Sequence, residues 1–116
     1  MKKLIVITMA LCLLLVACGS PSATDSRTMK DIVDSIEQAG YTIVDVTVPL
    51  YQMIGASNGS MFYIDGSKVA IYQYKDAEDL KAVKNEYVFM EKWPANGKYL
   101  LETNVTEINE LFLTIG

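Results

Sequence analysis

Apolar residues recur along this chain with two periods. Met29, Ile32, Val33 and Ile36 fall at i, i+3, i+4 and i+7, with Asp31, Asp34 and Glu37 turned away from them. That spacing predicts a helix from Thr28 to Ala39, capped by Thr28 and stopped by Gly40. From Tyr41 to Val48 the period drops to two. Val44, Val46 and Val48 share one face of a predicted strand, Tyr41, Ile43 and Asp45 the other, and Pro49 ends it. Leu50 to Ala56 reads as a short helical turn, and Asn58-Gly59 as a turn. Ser60–Asp65 and Lys68–Tyr74 read as two strands joined across Asp65-Gly66, a strong hairpin signal. In the second of these, Val69 and Ile71 point one way and Ala70, Tyr72 and Tyr74 the other, so both faces carry apolar bulk.

The helical period then returns. Asp76 is placed to cap a helix whose stripe is Ala77, Leu80, Val83 and Tyr87. Tyr87 to Met90 fits either a last helical turn or a short strand. Pro94 to Gly97 predicts a turn and Lys98 to Thr103 a strand. Asn104 with Glu107 has the spacing of a capping box ahead of the stripe Val105, Ile108, Leu111, Phe112 and Ile115. The order is α-β-β-β-α-(β)-β-α. It predicts a two-layer α+β domain over residues 28–116: a small, mostly antiparallel sheet of three to five strands under about three helices.

The N-terminal pattern is different in kind. Lys2 and Lys3 precede an uncharged run from Leu4 to Ala17, which is a positive start, a short apolar stretch and small residues at a cleavage point. Those are the parts of a secretory signal. The run is shorter than the roughly 20 apolar residues that a retained span requires, and Gly19, Ser20 and Pro21 break any helix after it. Leu15-Val16-Ala17-Cys18 resembles the lipobox of bacterial lipoprotein precursors. The resemblance implies transfer of a diacylglyceryl group to the Cys18 thiol and cleavage between Ala17 and Cys18. The cysteine count agrees: Cys12 leaves with residues 1–17, so Cys18 has no partner for a disulfide within the mature chain. Two acyl chains anchor stably where one is marginal. The expected location is the extracytoplasmic face of the cell membrane.

Residues 18–27 then read as the lipidated cysteine and a flexible linker of Gly, Ser, Pro, Ala, Thr and Asp with no large apolar side chain. Loss of Lys2 and Lys3 with the signal leaves eight bases against 14 acids, a net charge of −6. A negative domain is repelled by phosphates, which argues against nucleic acid as a partner and against adhesion to anionic headgroups. The membrane is reached through lipid on Cys18.

Gly55-Ala56, Asn58-Gly59, Phe62, Ile64, Gly66, Val69, Ile71-Tyr72 and Leu111-Phe112 resemble small uncharacterised lipoproteins of Gram-positive bacteria. The resemblance spans most of the mature chain, implies no activity, and carries no site residue.

Candidate chemistry is sparse. The chain has no histidine, which removes the commonest general base and the usual imidazole metal ligand. Lipidation of Cys18 leaves no free thiol. Arg27, the one arginine, is placed in the linker or at its edge, so the domain lacks a bidentate clamp for phosphate or carboxylate. Asp76, Glu78 and Asp79 read as helix-start acids, and Asp65-Gly66-Ser67 as a tight turn rather than a calcium loop. No metal or cofactor is expected. The aromatics have more pull: Tyr and Trp combine an apolar ring with a polar handle and are favoured at binding surfaces. Tyr72, Tyr74, Phe62 and Trp93 are the candidate binding surface, with Tyr72 and Tyr74 lining one sheet face if that face is open; the alternative is that they fill a second core under a helix.

The expected function is a non-catalytic binding or interaction module for an unknown envelope protein. A carrier of a small ligand, lipid or peptide, is the alternative, favoured by an apolar pocket at Tyr72, Tyr74 or Phe62 and opposed by a solid core. A carboxylate-based envelope hydrolase ranks below both, because it needs two acids facing each other across a groove.

Overall fold

A computed structural model describes residues 25–116. The signal segment, the cleavage point at Ala17 and Cys18, and residues 19–24 lie outside the described residues.

The elements follow the predicted order. Helix α1 (Met29–Gln38) is followed by strand β1 (Val44–Thr47), a 3-10 turn (Tyr51–Ile54) and the strands β2 (Asn58–Ile64) and β3 (Ser67–Gln73). Then come α2 (Ala77–Glu86), a second 3-10 turn (Val88–Met90), the short strand β4 (Ala95–Asn96), β5 (Tyr99–Thr103) and α3 (Thr106–Thr114). The five strands form one antiparallel sheet in the order β1-β2-β3-β5-β4. This is an α+β fold. β3 and β5 lie inside the sheet, with β3 paired to β2 and β5, and β5 to β3 and β4.

Local chemistry sets most boundaries. At α1, the Thr28 side chain accepts from the Asp31 amide, and the Asp31 carboxylate accepts from the Thr28 amide, a full capping box. Asp76 caps α2 by accepting from the Asp79 amide at 2.8 Å. In the β2-β3 hairpin, Ile64 pairs with Ser67 across Asp65 and Gly66, whose φ angles are 51° and 80°. Two positive φ angles are what a two-residue hairpin of matching twist requires.

The sheet carries helices on both faces, so the domain has three layers where the sequence predicted two. Under α1 and α3, Ile32, Ile36, Ile108 and Phe112 pack on Phe62, Ile64, Val69, Ile71, Tyr99 and Leu101. The second face gathers Ala70, Tyr72, Tyr74 and Leu100 under Ile54, Ala56, Leu80 and Met90 from the 3-10 turns and α2. The strict alternation of β3, with bulk on both sides, demands this arrangement.

Of the two faces of the 41–48 segment, the Val44, Val46 and Val48 side is 45%, 63% and 70% exposed, while Tyr41 and Ile43 pack against the first core. Asp45 takes a φ of 56°, and the register shifts between Val44 and Thr47. Four local expectations are corrected. Asn58-Gly59 opens β2 rather than forming a turn; Gly59 lies so close to Pro49 that an added Cβ would sit 2.9 Å from its Cγ. Val88–Met90 is a 3-10 turn, neither helix end nor strand. The 94–97 segment contains the short strand β4, closed onto β5. Asn104 does not cap α3: its N-cap is Val105, with no side-chain cap bond, and the Val105 amide donates to Thr103 Oγ1 at 3.3 Å.

The domain also begins earlier than Thr28. Arg27 grips Asp25 through Nε at 2.9 Å and Nη2 at 2.7 Å. Its Nη1 donates to Asn96 Oδ1 at 3.0 Å and to the Ile115 carbonyl at 3.2 Å. Asn96 in turn donates to the Phe112 and Ile115 carbonyls, and Lys98 Nζ to the Asp25 carbonyl. The Tyr99 hydroxyl donates to the Arg27 carbonyl at 2.6 Å. Asp25–Arg27 is therefore a polar clasp joining the entering chain, the β4-β5 turn and the end of α3, not flexible linker. The linker reading is corrected at residues 25–27.

Candidate functional site

Three features build one surface. The first is the 3-10 turn after α2. Its backbone bonds, Met90 amide to Tyr87 carbonyl at 3.0 Å and Trp93 amide to Met90 carbonyl at 3.1 Å, bury Met90 and leave Val88 80% and Phe89 60% exposed. Apolar residues exposed in a cluster mark a contact surface more often than single ones do. The second is a chain of rings. Phe89 meets Trp93 edge-on at 5.6 Å, Tyr87 tilts against Phe89 at 5.8 Å, and Trp93 stacks on Tyr72 at 6.1 Å with 10° between planes. These are favoured aromatic geometries. Lys84 Nζ donates to the Trp93 carbonyl at 2.7 Å and fixes that backbone to α2.

The third feature is a polar floor beyond Tyr72. By strand alternation Lys68 and Ala70 lie on the Tyr72 side of β3, and Glu102 sits opposite Ala70 on β5. Tyr72 donates its hydroxyl to Glu102 Oε1 at 2.8 Å, and Lys68 Nζ pairs with Glu102 Oε2 at 3.3 Å. Burial, and next the bond to Glu102, pushes the Tyr72 hydroxyl far above its usual pKa. Tyr72 is thus a neutral donor that orients the Glu102 carboxylate.

Between Trp93 and this floor lies a hollow of about 470 Å³, open to solvent. Among the described residues it is lined by Gly66, Ser67 and Lys68, by Glu102, Thr103 and Asn104, and by Trp93. It occupies the end of the second face where the Lys68–Glu102 pair lies. A second concavity, beside Asp34, Glu37 and Gln38, lies on the outer side of α1 and has no aromatic residue among those described.

The structure divides the four aromatics expected to form a binding surface. Tyr72 and Trp93 come together at the hollow, Trp93 as wall and Tyr72, 7% exposed, as the support behind it. Tyr74 lies on the same face but is fully buried, its hydroxyl donated to the Ile54 carbonyl at 2.8 Å. Phe62 is fully buried on the opposite face under α1 and α3. Neither can line an outer surface, because helices and 3-10 turns cover both faces. None of Tyr72, Tyr74 and Phe62 lines the hollow.

Sequence reasoning missed Lys68, Glu102 and Phe89. The alternation Lys68-x-Ala70-x-Tyr72 already puts Lys68 on the Tyr72 face. Nothing in the sequence sets Glu102 opposite Ala70, since that register follows from a crossover through α2. Phe89 was hidden by the ambiguity at 87–90.

A second exposed apolar stretch follows the sheet edge. Val46, Val48, Leu50 and Met53 are 63–74% exposed along and after β1, which pairs on one side only. Among the described residues there is no group of three or more His, Cys, Asp or Glu able to hold a metal ion, and no helix long and apolar enough to cross a membrane. Comparison of the chain with protein-family models, with curated proteins and with solved structures returns no match.

Proposed function

We propose that the chain is an extracytoplasmic lipoprotein, tethered by lipid on Cys18 after loss of residues 1–17, whose domain is a non-catalytic binding module for an envelope component. The observation that carries the binding reading is the Trp93-walled hollow beside the exposed Val88 and Phe89. The tether has a consistent geometry. Asp25 is held in the clasp, and the chain from Cys18 to Asp25 extends at most about 3.6 Å per residue, roughly 25 Å in all. The lipid therefore keeps the domain close to the bilayer, where a surface for an envelope component has its partner at high local concentration.

The chemistry of the hollow supports binding over hydrolysis. Glycoside hydrolysis ordinarily uses two carboxyl groups flanking the scissile bond. Glu102 is the one carboxylate among the described lining residues, and it is engaged by Tyr72 and Lys68. The chain has no histidine to supply a base in its place.

The test is membrane fractionation of the full chain and of Cys18→Ala in a bacterial host, with mass spectrometry of the mature N-terminus. The wild-type chain is expected in the membrane pellet, resistant to high salt and released by detergent, with a diacylated Cys18 at its start. Cys18→Ala is expected to keep residues 1–17 and to carry no lipid. Unmodified Cys18 in the wild-type protein would refute the tether.

A further inference from the structure

The hollow has a composition that selects its ligand. Its wall is an indole and its rim is formed by side chains that both donate and accept: the Ser67 hydroxyl and the Asn104 amide. Its floor pairs the Lys68 ammonium with the Glu102 carboxylate, their side chains 46% and 27% exposed, so the floor is polar without net charge. A neutral ligand is favoured there over an anion or a cation. A lipid tail is disfavoured, because it would strip water from Lys68, Glu102 and Asn104 without replacing the lost hydrogen bonds.

A sugar ring meets all of these terms. Its C–H face is apolar and flat enough to lie against an aromatic wall, and its rim of hydroxyls both donates and accepts. We infer that the hollow bounded by Trp93, Lys68, Glu102, Ser67 and Asn104 is a saccharide-binding subsite, taking a neutral sugar unit of an envelope glycan. Trp93 supplies the stacking surface. Glu102, oriented by the Tyr72 hydroxyl, accepts from sugar hydroxyls, and Lys68 and Asn104 donate to them. The open mouth of the hollow leaves room for the rest of a polymer to run past it. This inference rests on the binding-module reading and specifies its ligand.

Trp93 is the only tryptophan of the chain, so its fluorescence reports on the wall of the hollow directly. The full lipidated chain, held in a detergent without a sugar headgroup, is titrated with chitotetraose, cellotetraose and maltotetraose up to millimolar concentration. At least one is expected to give a saturable change in Trp93 emission. Glu102→Gln, which keeps the shape of the floor, is expected to weaken that binding about tenfold, the size of one hydrogen bond to a charged acceptor. Asn104→Ala, at an exposed loop position, tests the rim in case the floor variant misfolds; a loss of about threefold is expected there for a neutral bond. Val46→Ser, at the far edge strand, is expected to bind as the wild type does. Circular dichroism and urea midpoints establish that each variant is folded. No saturable change with any of the three sugars overturns the inference, as does equal affinity in wild type and in folded Glu102→Gln and Asn104→Ala. The titration does not depend on the lipid and the fractionation does not depend on sugar, so a failed ligand and a failed tether give separate results.

Discussion

The two faces of the sheet are built from the same strands and differ in how they are covered. On the first, two amphipathic helices lay Ile32, Ile36, Ile108 and Phe112 over six strand residues, and every one of the ten is buried. On the second, one helix contributes a single buried residue, Leu80, with Val83 partly buried beside the cluster, and the rest of the cover comes largely from the 3-10 turns and from Trp93. The first face is closed along its rim by the Asp25–Arg27 clasp. The second stays open where Lys68 and Glu102 meet. Stability and the candidate site therefore reside on opposite sides of one sheet, as expected where binding surfaces are carried by loops on a rigid scaffold.

The sharpest way to break this comparison is to remove equivalent bulk from each side. Phe112→Ala empties a site with no exposed surface, flanked by α1 and three strands, and is expected to cost about 3–5 kcal/mol. Leu80→Ala on the second face is expected to cost about 2–3 kcal/mol, because the partly buried Val83 and Tyr51 packed against the same cluster can settle towards the gap. Urea unfolding of the two variants measures both. Equal losses would mean that the second face is as rigidly packed as the first.

Next in size is the clasp. Asp25→Ala removes the bidentate partner of Arg27 and an acceptor for the Lys98 amide, and is expected to cost about 1.5–3 kcal/mol. It also carries a pH signature. The Arg27 side chain, opposed in part by burial and helped by the Lys98 and Arg27 amides, holds the Asp25 carboxyl well below the usual carboxylate range. A group depressed in the folded state stabilises it fully above its unfolded pKa, about 3.9 for aspartate, and loses that contribution as the pH falls further. The gap in stability between wild type and Asp25→Ala is expected to be constant near neutrality and to narrow below about pH 4. A gap unchanged at pH 2 would show that the clasp does not depend on the ionised carboxylate.

The same contrast explains what was legible in the sequence. The first face is written in periodic stripes: Met29 to Ile36 and Val105 to Ile115 gave α1 and α3, and Asp65-Gly66 gave the central hairpin. Local spacing decides those features. The second face depends on non-local register. Ala70 opposite Glu102, and Trp93 stacked on Tyr72, follow from a β3-β5 pairing that bridges an intervening helix. Tyr72 and Trp93 were found by residue type, whereas Phe62 and Tyr74, of the same type, proved to be core because type does not specify depth. Arg27 was misplaced for a similar reason. Its neighbours are small and polar, so the local window reads as linker, while its partners Asn96 and Ile115 lie at the other end of the chain.

The smallest effect expected is also the most selective for the second face. Tyr74 is fully buried and its hydroxyl holds the Ile54 carbonyl, which docks the first 3-10 turn onto the sheet. Tyr74→Phe keeps the ring and leaves that carbonyl without its donor, so a loss of about 1 kcal/mol is expected at neutral pH. The alkaline limb sharpens the assignment. Burial, with smaller contributions from Asp79 and Tyr87, pushes the Tyr74 hydroxyl up to about 12. A raised pKa in the folded state gives stability that is complete below the unfolded value, about 10 for tyrosine, and is lost as the pH rises through the folded value. The wild-type chain should therefore lose stability between about pH 10 and 12, and Tyr74→Phe should lose less over the same interval. Tyr72 titrates upward for the same physical reason and remains in both proteins, so the difference between the two curves isolates Tyr74. Identical alkaline limbs would mean that the phenol reaches water without unfolding, and the second face would then be open at Tyr74 as well as at the hollow.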